Sequence, residues 1–207
     1  LLKAFHEGLD VHRATAGEIF GVSPHEVSSE QRRYAKVINF GLIYGMSAFG
    51  LAKALGIDNT AARNYITRYF ERYPGVKRYM DDTREQAKAQ GFVQTVFGRR
   101  LYLPEIHSAA APRRAGAERA AINAPMQGTA ADLIKMSMVK IQNVIDAEQR
   151  STRIIMQVHD ELVLEIAPGE RVEVESLVRD QMGAAYPLSV PLDVSMGFGA
   201  NWDEAAH

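Results

Sequence analysis

Apolar residues recur every third or fourth position along most of the chain, and two places switch to short β-prone runs. The pattern therefore predicts a mainly helical protein with two small hairpins. Asp10 is placed to cap a helix that continues through Phe20 and stops at Gly21. Ser23-Pro24-His25-Glu26 has the spacing of a capping box, and Ser28 with Gln31 repeats it ahead of a helical run over 31–45. Gly56 and Asp58 end one helix and start the next, whose Tyr65, Ile66, Tyr69 and Phe70 are expected in a core. Pro74 opens a further helix carrying Val76, Tyr79, Met80 and Thr83, closed at Gly91. Residues 92–96 and 101–103, around Phe97-Gly98-Arg99-Arg100, are predicted to pair as a small hairpin.

Beyond them, 115–146 is one long helical pattern with Ala130, Leu133, Ile134, Met138, Ile141, Val144 and Ile145 on one face and Pro125 expected to kink or divide it. Two apolar runs within 154–164 meet at His159-Asp160-Glu161, which predicts a hairpin with carboxylates at its tip. An amphipathic helix is expected over 168–182, a strand over 191–196, and a tail with Asn201-Trp202 over 197–207. Leu1-Leu2-Lys3-Ala4-Phe5 enters a helix with neither cap nor turn, so a preceding region is expected. The elements together give an α+β fold: 1–125 helical with its small hairpin near 92–103, and 126–207 with a hairpin at 154–166 in an antiparallel sheet with packed helices.

Length alone, 207 residues, suggests one or two domains with a substantial core. No cysteine occurs, which excludes disulfides, cysteine metal sites and cysteine nucleophiles and fits a reducing, cytoplasmic setting. No apolar run approaches the ~20 residues of a membrane span and no signal peptide opens the chain, so the sequence reads as soluble and unexported, with no membrane partner. The formal charge of −1 hides an asymmetry: residues 1–125 carry 18 Lys+Arg against 12 Asp+Glu, and residues 126–207 carry 6 against 13. A basic half beside an acidic half suits phosphates on one part and cations on the other; an accidental dipole would look the same.

Arg32, Lys36, Phe40 and Tyr44 recur every fourth residue and so share one helix face. Two cations followed by two aromatics suit the phosphates and the base or sugar of a nucleoside triphosphate. The same spacing fits a helix whose aromatics pack inward and whose cations snorkel. Gly41 and Gly45 each cost the helix about 1 kcal/mol relative to Ala, which points to a close neighbour there. His12 falls in the first turn after Asp10, where free amides favour an anion, although a lone histidine is also an ordinary surface residue. Arg99, Arg100, Arg113 and Arg114 flank a loop and read equally as solvated surface or as phosphate contacts. Arg119, Asn123 and Gln127 form a polar row of a kind that is usually solvated. Asp160 and Glu161 between apolar strands would be satisfied by a magnesium ion, or Asp160 merely makes the turn.

Arg32, Lys36, Phe40, Gly41, Tyr44 and Gly45 spell Arg-x-x-x-Lys-x-x-x-Phe-Gly-x-x-Tyr-Gly, which resembles the fingers-helix signature of the bacterial DNA polymerase I family, the family A DNA polymerases. Asp10-x-His12-x-x-Thr15-Ala16, the run from Glu118 to Asp132, and Val158-His159-Asp160-Glu161 resemble further motifs of that family in the expected order. The resemblance implies a helical fingers subdomain plus part of an antiparallel palm, and DNA-templated DNA synthesis by nucleotidyl transfer from dNTP to a primer 3′-hydroxyl. By the same likeness Arg32, Lys36 and His12 lie at the triphosphate, Phe40 stacks on the nucleotide, and Tyr44 sits at the template side. Arg119, Asn123, Gln127 and His159 would hold duplex, Asp160 would bind catalytic Mg2+, two ions being expected in the complete site, and Glu161 would be a nearby carboxylate. Donors such as Arg, Asn and Gln can read minor-groove acceptors that are nearly the same for every base pair, as a copying enzyme requires. Phe40 in place of Tyr implies poor acceptance of dideoxynucleotides.

The family's other palm motif, Asp-Tyr-Ser-x-x-Glu-x-Arg, is nowhere in the chain. The resemblance therefore implies a fragment of a monomeric, nucleoid-associated bacterial enzyme, inactive alone, whose partners are primer-template DNA, dNTP and the remaining polymerase portion with thumb and rest of the palm. Two rival readings are a DNA- or nucleotide-binding module without chemistry, and a metal-dependent phosphohydrolase built on Asp160, Glu161 and His159. The latter leaves the Lys36 to Tyr44 face without a purpose.

Overall fold

The computed structural model describes residues 2–205, which divide into two compact units with the boundary between Gln127 and Gly128. Helices dominate, with two small antiparallel sheets, an α+β architecture.

In the first unit, α1 (Leu2–His6) precedes α2 (Val11–Phe20), whose first turn is capped by Asp10 and whose last turn is closed by Gly21 at φ 68°. The left-handed conformation there is open to glycine at little steric expense. Ser23 and Glu26 form a turn, with the Ser23 amide donating to Glu26 Oε2 at 3.3 Å, but no helix follows it. The next helix starts instead at the second box: α3 (Ser29–Ile43) has both reciprocal bonds between Ser28 and Gln31. Further on come α4 (Ala48–Leu55), capped by Ser47, α5 (Asn59–Arg72), capped by Asp58, and α6 (Pro74–Gln90), with Pro74 at its start and Gly91 just beyond its end. Ile19, Ile38, Leu42, Leu51, Leu55 and Tyr69 are buried together, with Tyr65, Ile66 and Phe70 packed around them. Tyr65, Ile66, Tyr69 and Phe70 thus lie in or against the core, as the periodicity of α5 predicts.

The first hairpin, β1 (Phe92–Gln94) and β2 (Arg100–Tyr102), is shorter than the predicted 92–96 and 101–103. Beyond Gln94 the chain closes into a turn, in which the Thr95 amide donates to the Arg99 carbonyl and its hydroxyl accepts from the amides of Phe97 and Arg99. A single 3₁₀ turn, Pro104–His107, leads to α7 (Ala111–Ala147), which runs through Pro125 as one continuous helix. Pro125 does not divide it, since a proline removes one backbone bond and flanking turns can carry the rest.

The second unit holds the C-terminal part of α7, the hairpin β3 (Arg153–Val158) and β4 (Glu161–Glu165), α8 (Arg171–Gly183) and the short α9 (Trp202–Ala205). Ile141, Ile145, Val174 and Val178 form its buried centre, with Ile154, Leu162, Leu164 and Met196 against them. Ile134 is buried as expected, whereas Ala130 is exposed. Ile154 pairs with Leu164 and Met156 with Val163, so Ile155 is an unpaired bulge residue in β3. The strand predicted over 191–196 is not formed among the described residues. Burial alternates along 191–199 as in a strand, but the Val194 carbonyl accepts from the Arg179 guanidinium and no ladder partner is present. Residues 206 and 207 of the predicted tail lie outside the described residues.

Candidate functional site

The capping box fixes the start of α3, and the buried Ala35, Ile38, Asn39 and Leu42 fix its rotation. The opposite face is then necessarily the one that bears Arg32, Lys36, Phe40 and Tyr44. Lys36 is exposed, Phe40 and Tyr44 retain 45% and 39% of their accessible surface, and the two rings stack with centroids 6.3 Å apart. The aromatics do not pack inward, so the amphipathic-core reading of this row is set aside. Lys36, Val37, Phe40, Gly41, Tyr44, Met46 and Arg119 line a cavity of about 450 Å³, all within the first unit.

The two glycines have specific neighbours. A Cβ on Gly41 would lie 3.0 Å from Met46 Sδ; Gly45, at φ 76°, would place one 3.3 Å from Arg119 Cγ. Gly45 therefore lets the end of α3 close onto α7 next to Arg119, a contact that spacing along the chain could not reveal.

Arg32 is braced. Its Nε donates to Asp10 Oδ2 at 2.7 Å, while Asp10 Oδ1 accepts from the amides of His12 and Arg13 at 3.0 and 3.1 Å. Burial pushes the Asp10 carboxyl up, but the Arg32 and Arg13 hydrogen bonds outweigh it and hold the group below the ordinary carboxylate value. The Arg32 side chain is partly exposed, and Nε is the guanidinium nitrogen that donates to Asp10. His12 Nδ1 lies 3.1 Å from Asn39 Nδ2, and its ring is 5.4 Å from Phe40. Burial first, then the Arg32 and Lys36 charges, depress its pKa against the opposing pull of Asp10, which favours the neutral imidazole over the charged one. The ion pair from Asp10 and the amide from Asn39 are partners that the sequence reading missed. The only hint was a polar Asn in the middle of an apolar helix face.

On α7, Arg119 and Gln127 are exposed and Asn123 is half-buried, with Asn123 Oδ1 lacking a hydrogen-bond partner. An orphaned acceptor next to exposed donors is a group with unmet hydrogen-bonding capacity. Arg114 is engaged with the Ser108 carbonyl at 2.8 Å and Arg113 lies 3.9 Å from Glu105.

In the second unit, His159 and Asp160 form the two-residue turn between paired Val158 and Glu161. His159 adopts φ 51°, unusual for a side chain other than glycine, and Gln157 Nε2 donates to its carbonyl at 2.6 Å. His159, Asp160 and Glu161 are all exposed. No group of three or more His, Asp or Glu side chains converges into a metal cage among the described residues. Magnesium needs no such cage: one or two carboxylates together with substrate phosphates suffice, and Asp160 and Glu161 supply hard oxygen donors of that kind. No helix among the described residues is long and apolar enough to cross a membrane.

A model of DNA polymerase family A matches residues 1–204. The chain is similar to DNA polymerase I of Pseudomonas aeruginosa, with 59% identity over 205 residues that make up 99% of this chain and 22% of that protein. It is 49% identical to DNA polymerase I of Mycobacterium bovis over 207 residues, 100% of this chain and 23% of that one. Among solved structures, the POL domain of Pol1 from M. smegmatis in complex with DNA primer-template and dNTP matches with a TM-score of 0.95 at 48% identity, covering 100% of this chain and 36% of that chain. The chain thus spans less than a quarter of the length of these two curated relatives.

Proposed function

Because the chain belongs to DNA polymerase family A, we propose that it supplies the nucleotide-binding surface, and one part of the catalytic centre, of an enzyme that extends a primer 3′-hydroxyl with dNTP under the direction of a template. The observation that carries this reading is the open row Arg32, Lys36, Phe40 and Tyr44, three of which line one cavity with Arg119. The relative whose structure was solved with primer-template and dNTP has nearly the same backbone over this stretch. Residues 1–125 take the part of the fingers, and 126–207 that of the C-terminal palm.

The roles follow from the chemistry of each side chain. Lys36 neutralises triphosphate charge as a compact ammonium, and Arg32, held in place through Nε by Asp10, offers its remaining donors to the same oxygens. His12, neutral, contributes a hydrogen bond without adding charge. Phe40 presents a flat face to the base and sugar of the incoming nucleotide, and Tyr44 marks the template side of the new pair. Arg119, Asn123 and Gln127 donate to minor-groove acceptors of the duplex, and His159 stands beside the primer end. Asp160, with Glu161 close by, holds Mg2+, two ions being expected in the complete site. When bound, the metal activates the attacking hydroxyl and offsets charge on the leaving pyrophosphate. The chain by itself offers one carboxylate pair for this task, and we expect the isolated 207 residues not to extend a primer.

Two rival readings weigh less. A phosphohydrolase at His159-Asp160-Glu161 leaves the exposed aromatic-cationic row unused, and a binding module without chemistry leaves the carboxylate pair unused. The deciding experiment is templated primer extension by the natural full-length protein. Incorporation that depends on Lys36 and Asp160 supports the proposal; incorporation unaffected by replacing both sinks it.

A further inference from the structure

Asn39 is the one polar residue among those buried on α3, retaining 3% of its surface. An asparagine inside a helix is a poor helix former, and its amide is costly to desolvate unless all its groups are satisfied. Here they are. Nδ2 lies 3.0 Å from Thr15 Oγ1 and 3.1 Å from His12 Nδ1, and Oδ1 lies 3.2 Å from Thr15 Oγ1. Thr15 is fully buried and follows His12 by three residues on α2, so both partners of Asn39 stand on one rigid helix turn.

A neutral imidazole has one donor nitrogen and one acceptor nitrogen, and the partner of one decides the character of the other. We propose that Asn39 is a positioning residue: by donating to His12 Nδ1 it holds the imidazole in the tautomer that carries its hydrogen on Nε2, keeping that nitrogen a hydrogen-bond donor for an anionic ligand. The neighbouring residue, Phe40, places its ring 5.4 Å from the same imidazole. Consecutive residues of α3 therefore lock the tautomer and limit the tilt of one side chain on α2. The identity of the anion as a nucleotide triphosphate rests on the function proposed above; the tautomer does not.

The test uses the natural full-length protein labelled with 15N in its histidines, observed by long-range 1H–15N correlation at a pH where His12 is neutral. The His12 signals are assigned by their disappearance in His12→Gln. The expected wild-type pattern is that of hydrogen on Nε2. Asn39→Asp replaces the donor with an acceptor of the same shape, and the His12 signals are expected to move to those of a protonated Nδ1. Thr15→Val, which keeps the amide, is expected to leave the tautomer unchanged. Hydrogen on Nδ1 in the wild type, or no change in Asn39→Asp, overturns the proposal. Should Asn39→Asp fail to fold, the wild-type spectrum decides alone.

Kinetics separate the lock from the site that it serves. Losing one hydrogen bond to a charged group should raise the KM for dNTP roughly tenfold in Asn39→Asp with kcat nearly unchanged. On a His12→Ala background the same substitution should change KM less than about twofold, because Asn39 acts through His12. A tautomer shift with unchanged KM supports the lock and overturns the assignment of His12 to the nucleotide. An equal KM change in both backgrounds means that Asn39 acts only through the packing of α3, and overturns the lock.

Discussion

Asp10 and Arg32, separated by 22 positions in the chain, are joined by a 2.7 Å bond from Nε to Oδ2, while the other carboxylate oxygen caps α2. One side chain thus starts one helix and braces a cation on another. Asp10→Ala should lose the cap, worth about 1 kcal/mol, and a partly exposed ion pair worth less than about 1 kcal/mol. Urea unfolding should show a loss of roughly 1–2 kcal/mol. Asp10→Ser restores a cap without the charge and should recover the cap's share of the stability while leaving the KM for dNTP raised. Recovery of both would mean that bracing Arg32 has no functional part.

Acid should destabilise the first unit in two steps. His12 is held below its ordinary 6.5, so between its native value and 6.5 the unfolded chain binds more protons and stability falls as pH drops. Asp10 is held below its ordinary 3.8; its contribution is present above that value and is lost as pH falls through the lowered native one. Unfolding free energy measured from pH 8 downward should lose the upper step in His12→Gln and show a smaller lower step in Asp10→Asn, where Glu18 and Asp81, also held below the ordinary carboxylate value by Arg72 and Lys77, still contribute. A wild-type curve flat below 6.5 would contradict the placement of His12.

Lys36→Ala in the full-length protein should reduce single-nucleotide incorporation by about 10²–10³-fold, the range seen when one charge-stabilising group is removed. Binding of primer-template, followed by fluorescence anisotropy, should change less than about twofold, since Arg119, Asn123 and Gln127, which carry the proposed duplex contacts, are left in place. Equal loss of both would misplace α3.

Gly45 carries two penalties for a side chain, a left-handed φ of 76° and the Arg119 contact at 3.3 Å, whereas Gly21 at φ 68° has nothing within 4 Å. Gly21→Ala should lose about 1 kcal/mol from backbone strain alone. Gly45→Ala should lose more and should also weaken templated incorporation by displacing Arg119. Equal losses would show that Arg119 simply yields.

His159 at φ 51° is strained in the opposite sense. His159→Gly should stabilise the second unit by about 0.5–1 kcal/mol in thermal unfolding while slowing primer extension. Asp160→Asn, at an exposed position, should leave stability nearly unchanged and abolish extension. A destabilised Asp160→Asn would favour the reading in which Asp160 merely makes the turn.

Much of the fold was legible because its signals are local. Asp10, Ser28 and Asp58 cap where cap residues stand before an apolar period, and Gly21, Gly56 and Gly91 close helices as left-handed residues. The exposed row on α3 followed from four-residue spacing, although spacing could not say whether its rings faced in or out. What failed depended on partners distant in sequence. The apolar alternation over 191–196 specifies a half-buried extended chain but cannot supply a neighbour to pair with. Pro125 lowers helix propensity, yet a helix of 37 residues is held by the packing along its length. The His12, Thr15 and Asn39 network spans two helices and leaves only the trace of an out-of-place amide. The contact of Gly45 with Arg119 leaves none beyond the glycine itself.

Ile155, the unpaired residue of β3, is 57% exposed, and the pairs on either side of it, Ile154 with Leu164 and Met156 with Val163, keep their own faces. Excising Ile155 would therefore close the strand into a regular ladder with every existing pair kept, whereas losing Met156 or Gln157 would draw Ile155 into the ladder and change the partners between it and the gap. The hairpin thus has, in Ile155, a residue whose removal edits its coiling while leaving every existing pair in register. The aim of the Asp160 carboxylate is adjustable from a position that bears no reactive group of its own.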